Sequence, residues 1–350
     1  MKKLIYISLS SENVIKNSFH ADIIEMLKND FSEVIIFCWG KKYSKKENNL
    51  IIHSGNIIDW FKYVTKNNRP DLIYINDYFL GGLFGTILKK RMQVPLFLRC
   101  GSPWRYNFKS LSAISKTVLI HFLKPFVIRN CNKVVYNSKS IVCKNIKHDY
   151  EIIYNGVDTD IFKPMPEVQT KSNKLRLISI GNLNKEKGLE YLFKAINGLE
   201  DKVSLTVVGD GPLLQEFKRK NKNVEFIGRI EHKDLPKIIN QHDVLVHPSY
   251  VESFPNVILE AMACGKPVIA CNIYGIPEMI TSPNNGLLIS PKNSNQLTKV
   301  IIKLVEDHKI REKIGIEGQK MILTNFKMTT KLEKNIQSII SSISKAQFKK

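Results

Sequence analysis

The first half of the chain alternates short apolar runs with stretches of helical periodicity. The apolar runs lie at 4–9, 33–39, 71–77, 95–100 and 133–138 and are rich in Ile, Val, Leu and aromatic residues. Between them, segments such as HADIIEMLKND and GGLFGTILKKRM repeat apolar residues at the spacing of one helix face. Continuous apolar strands that alternate with helices are typical of a parallel sheet covered on both faces. The pattern therefore predicts a doubly wound α/β domain.

The same alternation resumes after a polar segment, PMPEVQTKSNK, which has no periodicity. The later apolar runs lie at 175–181, 204–211, 224–229, 244–249, 267–271 and 286–290. We therefore predict two Rossmann-like domains that face each other across a cleft. Their ranges are residues 1–165, a linker at 166–174, residues 175–325, and an amphipathic helix at 326–350 that packs back on the first domain. Ligands of such sheets bind beyond the carboxyl ends of the strands, so the loops there are the expected site.

Length and cysteine content agree with a two-domain intracellular protein. A chain of 350 residues has room for two cores of ordinary size. Its six cysteines show no metal-ligand spacing, which favours free thiols in a reducing compartment. The opening run, MKKLIYISLS, is shorter than an export signal and is interpreted as a first strand. No apolar segment reaches the length of a membrane span, so we expect a cytoplasmic location.

The formal net charge is +21, and part of it is concentrated in one block without acids. Residues 78–148 contain 13 Lys or Arg and no Asp or Glu. An amphipathic run at 108–130 lies inside this block, with lysines spaced among Leu, Ile, Val and Phe. Such a face suits an anionic membrane surface or a phosphate-bearing partner, although a solvated face of a core helix gives the same pattern. Nucleic acid is not expected, because no stacking aromatic platform or helix-turn-helix pattern accompanies the charge.

The segment ESFPNVILE places two carboxylates, Glu252 and Glu260, around the predicted start of a helix. Ser253 suits the N-cap and Pro255 the first turn. Free backbone N–H groups at a helix start form an anion site, which fits phosphate. The two acids suit hydroxyl groups instead, such as those of a ribose or a sugar ring. Together these features indicate a nucleoside-diphosphate sugar as ligand. One acid that caps the helix and one solvated acid would give the same sequence pattern.

Five segments in register resemble the donor domain of retaining glycosyltransferases of family 4, which have the GT-B fold. They span about half of the chain and read IYNGVDTDIFKP, SIGNLNKEKGLEYLFKAI, LTVVGDGPLLQEF, VEFIGRIEHKDL and HDVLVHPSYVESFPNVILEAMACGKPVIACNIYGIPEMI. The resemblance implies that Glu252 lies beside the transferred sugar and that Glu260 binds the ribose. It also implies that Lys187 binds the diphosphate and that backbone groups near Ile230 contact the base. The full set of implied donor-binding residues is Gly181, Asn182, Lys187, Arg229, Ile230, Glu252, Ser253, Phe254, Pro255, Asn256 and Glu260, with Glu252 and Lys187 as the catalytic pair.

The sequence departs from the family pattern at two loops. Asn182 stands where the family commonly has an arginine that neutralises phosphate, and Arg229 is one candidate substitute. The first domain lacks the usual Gly-Gly loop and reads SLSSEN at 8–13. The DxD spacing at Asp158–Asp160 falls in a turn, and GT-B enzymes need no bound metal, so neither a metal nor another cofactor is expected.

These observations lead to one functional hypothesis and two alternatives. We expect a hexosyl- or N-acetylhexosaminyl-transferase that moves a sugar, with retention, to a saccharide or lipid-linked acceptor in surface polysaccharide, lipopolysaccharide or glycan synthesis. The resemblance implies front-face attack, because no carboxylate is clearly placed to form a covalent intermediate. A GT-B nucleotide-sugar epimerase and a non-catalytic membrane-surface protein on the same scaffold remain the alternatives.

Overall fold

The computed structural model of the chain describes residues 2–8, 19–66, 69–76, 80–101, 122–168 and 172–347. Contacts among residues divide the chain into two compact units. The first unit comprises Met1–Tyr154 together with Leu332–Lys350, and the second comprises Asn155–Lys331. Parts of several predicted features lie outside the described residues, including the loop at 8–13 beyond Ser8, the amphipathic run at 108–130 up to residue 121, the linker at 169–171 and the end of the C-terminal helix at 348–350.

The first unit contains one mixed sheet. Its strands are β1 (Lys3–Ile7), β2 (Glu33–Trp39), β3 (Tyr43–Glu47), β4 (Leu50–Gly55), β5 (Leu72–Ile75), β6 (Leu96–Cys100), β7 (Lys133–Tyr136) and β8 (Tyr150–Ile152). The strand order is β3-β4-β2-β1-β5-β6-β7-β8. All neighbours are parallel except β3 and β4. The central strands β1 and β5 are almost wholly buried, as expected for the middle of a parallel sheet.

Helices of the first unit follow the predicted apolar periodicity. They are α1 (Phe19–Asp30), α2 (Ile57–Lys66), α3 (Leu80–Met92) and α4 (residues 122–130). Aromatic residues from β2, α2 and α3 meet in the core: the Trp60 ring centroid lies 5.6 Å from those of Phe37 and Phe84. Large rings bury much apolar area per residue, so this cluster contributes strongly to the stability of the unit.

The second unit contains a wholly parallel sheet. Its strands are β9 (Leu175–Ile180), β10 (Val203–Val208), β11 (Val224–Gly228), β12 (Val244–His247), β13 (Val268–Cys271) and β14 (Leu287–Ile289). Their order is β11-β10-β9-β12-β13-β14. The apolar residues of these strands are buried together with Leu189, Leu192 and Leu297 from the surrounding helices. This is the doubly wound arrangement that the sequence pattern predicted.

Helices of the second unit pack in pairs. They are α5 (Leu189–Ile196), α6 (Leu214–Lys220), α7 (Leu235–Asn240), α8 (Asn256–Ala263), α9 (Ile276–Met279), α10 (Ser294–Glu306) and α11 (His308–Asn325), and the last helix of the chain is α12 (Met328–Gln347). Thr298 Oγ1 of α10 donates to Ala195 O of α5 at 2.9 Å. Gln319 Nε2 of α11 donates to Ala263 O of α8 at 3.2 Å. Helix α8 is therefore held from outside by α11.

The division between units differs from the predicted linker at 166–174. Residues 155–165 belong to the second unit because their backbone is bound there. Val157 N donates to Phe326 O and Met328 N donates to Val157 O, both at 2.9 Å. Asn240 binds this segment further on, since its side chain donates to Lys163 O at 2.9 Å. At the far end of the chain, Ser338 of α12 donates to Glu151 Oε2 in the first unit at 2.8 Å.

Within the ranges that the structure describes, every strand predicted from an apolar run is present. The strands β3, β4 and β8 were not predicted. The exposed strand β3 has the sequence YSKKE, which carries no apolar alternation. Asn48, with φ +53°, makes the turn from β3 to β4. Strand β8 is short and partly exposed. Among the helices of the described residues, none has an apolar stretch that could span a bilayer.

Candidate functional site

The topological switch point of the second sheet lies between β9 and β12. From β9 the chain runs outward to β10 and β11, and it then returns to place β12 on the other side of β9. Loops that leave the carboxyl ends of two such strands diverge and form a crevice for a ligand. The loop after β9 carries Lys187 and the loop after β12 carries Glu252, so these two predicted residues flank the switch point.

The loops after β9 and β10 pack backbone against backbone. Gly181 N donates to Val208 O at 3.0 Å, and Leu183 N donates to Asp210 O at 2.8 Å. A Cβ atom on Gly209 would lie 1.9 Å from Gly181 O, and the φ of Gly209 is +134°. Only glycine fits so close an approach. The GDGPLL segment therefore holds the loop that leads to Lys187.

Lys187 ends a 3-10 turn at Lys185–Lys187. Asn184 caps this turn, since its side-chain oxygen accepts from Lys187 N at 3.2 Å. The following residue, Gly188, has φ +64°, and a Cβ atom there would lie 2.4 Å from Pro248 O. The capped turn and the glycine fix the direction in which the Lys187 side chain leaves the backbone.

Glu252 is the centre of a compact polar cluster. Its Oε1 accepts a close charge-assisted hydrogen bond from Lys187 Nζ. The same oxygen lies 3.3 Å from Ser249 Oγ and 3.2 Å from His247 Nε2. Burial raises the pKa of Glu252, but His247 and Lys187 lower it by more and hold it at about 2. Glu252 is therefore an anion and a hydrogen-bond acceptor at neutral pH, and it is not a proton donor.

Helix α8 begins at Asn256, and its N-cap is Pro255, which makes no side-chain capping bond. The prediction that Ser253 caps this helix is wrong, because the helix starts two residues later than that cap would require. Ser253 is buried instead, and its carbonyl accepts from Gly275 N at 2.9 Å. Within the described part of the chain, the backbone N–H groups of Asn256 and Val257 have no hydrogen-bond partner. The start of α8 is thus available to an anion.

Asn155 holds the start of α8 in place. Its side-chain amide donates to Asn256 Oδ1 at 2.8 Å and to Phe254 O at 3.3 Å. The buried ring of Phe254 lies 5.7 Å, between centroids, from the ring of Phe326. The loop from Ser253 to Asn256 is therefore fixed from both its polar and its apolar side.

Glu260 lies one turn into α8 and is only 7% exposed. Its Oε1 lies 2.9 Å from Nε2 of His232, whose side chain is 61% exposed. The ring of His232 packs on Phe162 with centroids 5.2 Å apart. A buried carboxylate that contacts an exposed imidazole can exchange that partner for a ligand hydroxyl at little cost.

Three other predicted residues lie in the loops that follow β9 and β11. Asn182 is exposed, and its Oδ1 lies against Gly211, where a Cβ atom would be 2.5 Å away. Arg229 is exposed and Ile230 is half-buried, and both follow Gly228 at the end of β11. Among the described residues, neither forms a hydrogen bond or an ion pair with Lys187 or Glu252.

Two histidines of the site, His247 and His232, were not predicted from the sequence. His247 interrupts the apolar run VLVHPS at its carboxyl end, which was a usable signal because a strand end in this fold points toward the ligand. His232 lies in the polar segment EHKD, where nothing distinguishes it from a surface residue. Asn155, likewise missed, belongs to the NGVD turn.

The DxD segment at 158–160 serves as a turn. Asp158 Oδ1 accepts from Asp160 N at 2.9 Å and from Ile161 N at 3.3 Å. Across the described ranges, no group of three or more His, Cys, Asp or Glu side chains is arranged to hold a metal ion.

Comparison with known families agrees with this geometry. The model named "Glycosyl transferases group 1" matches residues 161–321, and the model named "Glycosyltransferase Family 4" matches residues 41–161. Together the two matches include the whole cluster around Lys187, Glu252 and Glu260. The chain belongs to glycosyltransferase family 4.

Two relatives of this glycosyltransferase resemble it over most of their length. An uncharacterized glycosyltransferase of Methanocaldococcus jannaschii is 26% identical over 74% of this chain and 72% of the relative. An uncharacterized 41.2 kDa protein in the cps region of Klebsiella pneumoniae is 26% identical over 70% of this chain and 71% of the relative.

Solved structures of similar fold include a complex with nucleotide. Anabaena HepE, crystallised with UDP and glucose, has a TM-score of 0.80 at 20% identity and covers 97% of this chain and 100% of HepE. Another HepE structure contains UDP-glucose. At this identity the likeness shows the fold, which is GT-B.

Proposed function

We propose that this glycosyltransferase transfers a sugar, with retention, from a nucleoside-diphosphate sugar bound at the switch point of the second sheet. The observation that carries the proposal is the ion pair of Lys187 and Glu252 beside the free N–H groups of α8. One cation, one helix start and one acid meet there, which matches a donor that has a diphosphate at one end and hydroxyls at the other. The UDP and UDP-glucose found with HepE support the class of donor.

The diphosphate binds Lys187 Nζ and the backbone N–H groups of Asn256 and Val257. A lysine contributes charge to a phosphate, and a helix start contributes aligned dipoles. No metal or other cofactor takes part in this proposal, because these groups supply the neutralising charge. Transfer activity that persists in EDTA is the expected result.

The nucleoside binds along α8 toward Glu260. Its ribose diol donates to the Glu260 carboxylate, which turns from His232 to the ligand. The base lies near Ile230, where backbone groups at the end of β11 can bind its edge, while the neighbouring Arg229 faces the phosphates in place of the arginine missing at Asn182. Ser253, Phe254 and Pro255 shape the loop between the sugar and the diphosphate.

The reaction breaks the bond from the anomeric carbon to the diphosphate oxygen and forms a bond from the same face to the acceptor oxygen. The proton of the acceptor hydroxyl passes to the departing diphosphate. Lys187 and the helix dipole stabilise the negative charge that develops on that leaving group. Glu252 holds a hydroxyl of the transferred sugar and does not attack the anomeric carbon.

The acceptor is a saccharide or a lipid-linked saccharide in surface polysaccharide, lipopolysaccharide or glycan synthesis, and the transferred group is a hexose or an N-acetylhexosamine. The relative from a cps region supports polysaccharide synthesis. The acid-free basic block at 78–148 supports contact with an anionic membrane surface. In its described part, Phe122 is 71% exposed, and Lys90 Nζ lies 5.3 Å from the ring centroid of Phe126.

A donor and acceptor panel tests the proposal. The protein is incubated with UDP-glucose, UDP-N-acetylglucosamine and GDP-mannose, each with water or lipid-linked saccharides as acceptor, and free nucleotide and product anomers are measured. Release of one nucleotide with a product of unchanged anomeric configuration is expected. An isomerised nucleotide sugar without free nucleotide would identify an epimerase. If neither free nucleotide nor an isomerised nucleotide sugar forms and the protein binds to vesicles, the protein is a non-catalytic membrane-surface protein.

Flotation with vesicles tests the membrane part separately. Replacement of Lys109, Lys116 and Lys124 by Gln is expected to reduce flotation with vesicles that contain phosphatidylglycerol, and to leave flotation with neutral vesicles as it was. Equal flotation of the wild type and the variant with anionic vesicles would contradict contact through this block.

A further inference from the structure

The contacts of the Glu252 carboxylate all fall on one of its two oxygens. Oε1 accepts from Lys187 Nζ and lies near Ser249 Oγ and His247 Nε2. Oε2 has no hydrogen bond to any residue that the structure describes. The carboxylate is therefore held on one side and open on the other, which suits an acceptor for a ligand hydroxyl.

His247 is buried directly behind this carboxylate. It is the last residue of β12 and is 2% exposed. Its Nε2 lies 3.2 Å from Glu252 Oε1, but the contact is not aligned as a hydrogen bond. No other described residue accepts from this nitrogen. A buried polar atom without a hydrogen bond costs stability, so such an atom calls for a functional explanation.

The side chain of His247 is enclosed while Lys187 pairs with Glu252. The cavity that it lines with Gly181 and Lys187 has a volume of about 10 Å³. A volume of this size holds about one water molecule and no sugar. The charged group within reach of its Nε2 is the Glu252 carboxylate, so Glu252 is the side chain through which His247 can act on the reaction.

Donor binding changes the surroundings of Glu252, given the proposed function above. The diphosphate carries more negative charge than one carboxylate, so Lys187 Nζ turns toward it. Glu252 then loses its close cation and is left as a buried anion, which is costly unless another donor replaces the lysine. Besides Ser249 and Lys187, His247 is the described residue with a donor atom close to Oε1.

We propose that His247 is a positioning residue that becomes the partner of Glu252 Oε1 when Lys187 moves to the diphosphate, which leaves Oε2 to accept a hydroxyl of the transferred sugar. The imidazole donates its Nε2 proton in a hydrogen bond and neither gains nor loses a proton in the reaction. Glu252 thus has two possible partners, Lys187 before the donor binds and His247 afterwards.

Two substitutions at His247 separate this role from simple packing. His247→Phe keeps a ring of similar size but removes the donor, whereas His247→Gln keeps an amide N–H near the position of Nε2. If His247 only fills space, Phe should be tolerated at least as well as Gln. If it donates to Glu252, Gln should be the better substitute. His242→Asn is the matched control, because His242 is a second partly buried histidine, bound to Ile238 O at 2.7 Å just before β12.

Turnover is measured with UDP-glucose, or with whichever panel nucleotide sugar the wild type uses. Loss of a positioning hydrogen bond should lower kcat of His247→Phe by about 10- to 100-fold, with a change of donor KM below about threefold. His247→Gln should recover about tenfold of that loss, and His242→Asn should match the wild type. Acidification should reduce kcat of His247→Phe at a higher pH than in the wild type, because Glu252 has lost a group that keeps it ionised.

Calorimetry with UDP, together with turnover, distinguishes failure of the proposed function from failure of the role inferred for His247. A wild type that neither binds UDP nor releases nucleotide from any donor would overturn the proposed function, and this inference with it. A wild type that turns over while His247→Phe keeps the same kcat and pH profile would overturn the inference alone. Equal losses in Phe and Gln variants with an unchanged pH profile would likewise assign His247 to packing.

Discussion

Two ion pairs lie at opposite ends of β9, and they differ in how completely their polar atoms are bonded. At the amino end, Asp243 accepts three hydrogen bonds from Arg176, at 2.7, 2.8 and 3.1 Å, through both of its oxygens. Asp243 N also donates to Arg176 O at 2.9 Å. At the carboxyl end, Glu252 uses one oxygen for Lys187 and keeps the other open to a ligand.

This difference indicates that the Lys187–Glu252 pair, and not the Arg176–Asp243 pair, is suited to bind a ligand. An arginine and an aspartate that satisfy each other through backbone and side chain leave little for a ligand to gain, so that pair fastens β9 to β12. A lysine is a single mobile charge and exchanges partners easily. The same attraction therefore stabilises the fold at one end of the strand, and in the proposed function it holds the donor-binding lysine at the other. Substitutions in one pair at a time test this difference.

Lys187→Ala is expected to have the largest effect. Removal of the charge that stabilises the leaving diphosphate should lower kcat/KM by about 100- to 1000-fold. The free energy of unfolding should fall by only about 1 kcal/mol, because Glu252 keeps Ser249 and His247 close to its Oε1. Lys185→Ala is the control, since Lys185 lies in the same turn and is exposed. Steady-state kinetics and urea unfolding measure the two quantities, and near wild-type kinetics in Lys187→Ala would contradict the assignment.

Asp243→Asn should have the opposite profile. Loss of a partly buried pair is expected to lower the free energy of unfolding by about 2 kcal/mol, less than a fully buried pair because 29% of the Asp243 side chain is exposed. The kinetic constants should stay as in the wild type. Asp201→Asn, in the exposed turn before β10, is the control in urea unfolding. A large fall in kcat without loss of stability would remove the distinction between the two pairs.

The pH dependence of unfolding should report Glu252. Its pKa in the folded protein, about 2, is below the ordinary value of 4.5, so the carboxylate contributes stability above pH 4.5 that is lost as the pH falls toward 2. This contribution is about 2 kcal/mol, allowing for partial exposure. Glu252→Gln should therefore lose less stability than the wild type between pH 5 and pH 3. Identical pH dependence of the two proteins in urea unfolding would show that the pair is not formed in solution.

Glu260→Gln should give the smallest of the four effects. The variant keeps one acceptor oxygen but loses the charge, so donor KM should rise by about tenfold with kcat nearly unchanged. Glu306→Gln, at the exposed end of α10, is the control. A fall in kcat at constant KM would indicate that Glu260 acts in the chemical step and not in nucleoside binding.

The sequence predicted elements whose pattern depends on burial and missed those that depend on neighbours. Strands β1, β5 and β12 are apolar because both faces are covered, so their pattern is visible in the chain. Strand β3 forms only because β4 lies beside it, and its own residues are polar and exposed. The boundary between units was placed too late for a similar reason: a polar segment was taken for a linker, although the chain is already bound by Phe326 and Asn240 before it.

The residues of the candidate site show the same contrast between local pattern and contacts with neighbours. Glu252 and Glu260 were proposed because they flank a predicted helix start, and Lys187 was proposed from the family resemblance. The structure brings Lys187 and Glu252 into contact. Asn155 contributes through a contact with Asn256, which is 101 residues further along the chain, and spacing gives no sign of such a contact. His247 lies close to Glu252 in the sequence, but it ends an apolar run that predicts only a buried strand. Ser253 was misassigned because capping preference cannot tell which of several adjacent residues begins the helix.

A crystal structure of the protein with a bound nucleoside-diphosphate sugar tests the central claim most directly. The account predicts that the diphosphate lies within hydrogen-bond distance of Lys187 Nζ and of the N–H groups at the start of α8, with the ribose on Glu260 and His247 Nε2 bonded to Glu252 Oε1. A donor bound elsewhere, with the pair of Lys187 and Glu252 intact, would contradict it.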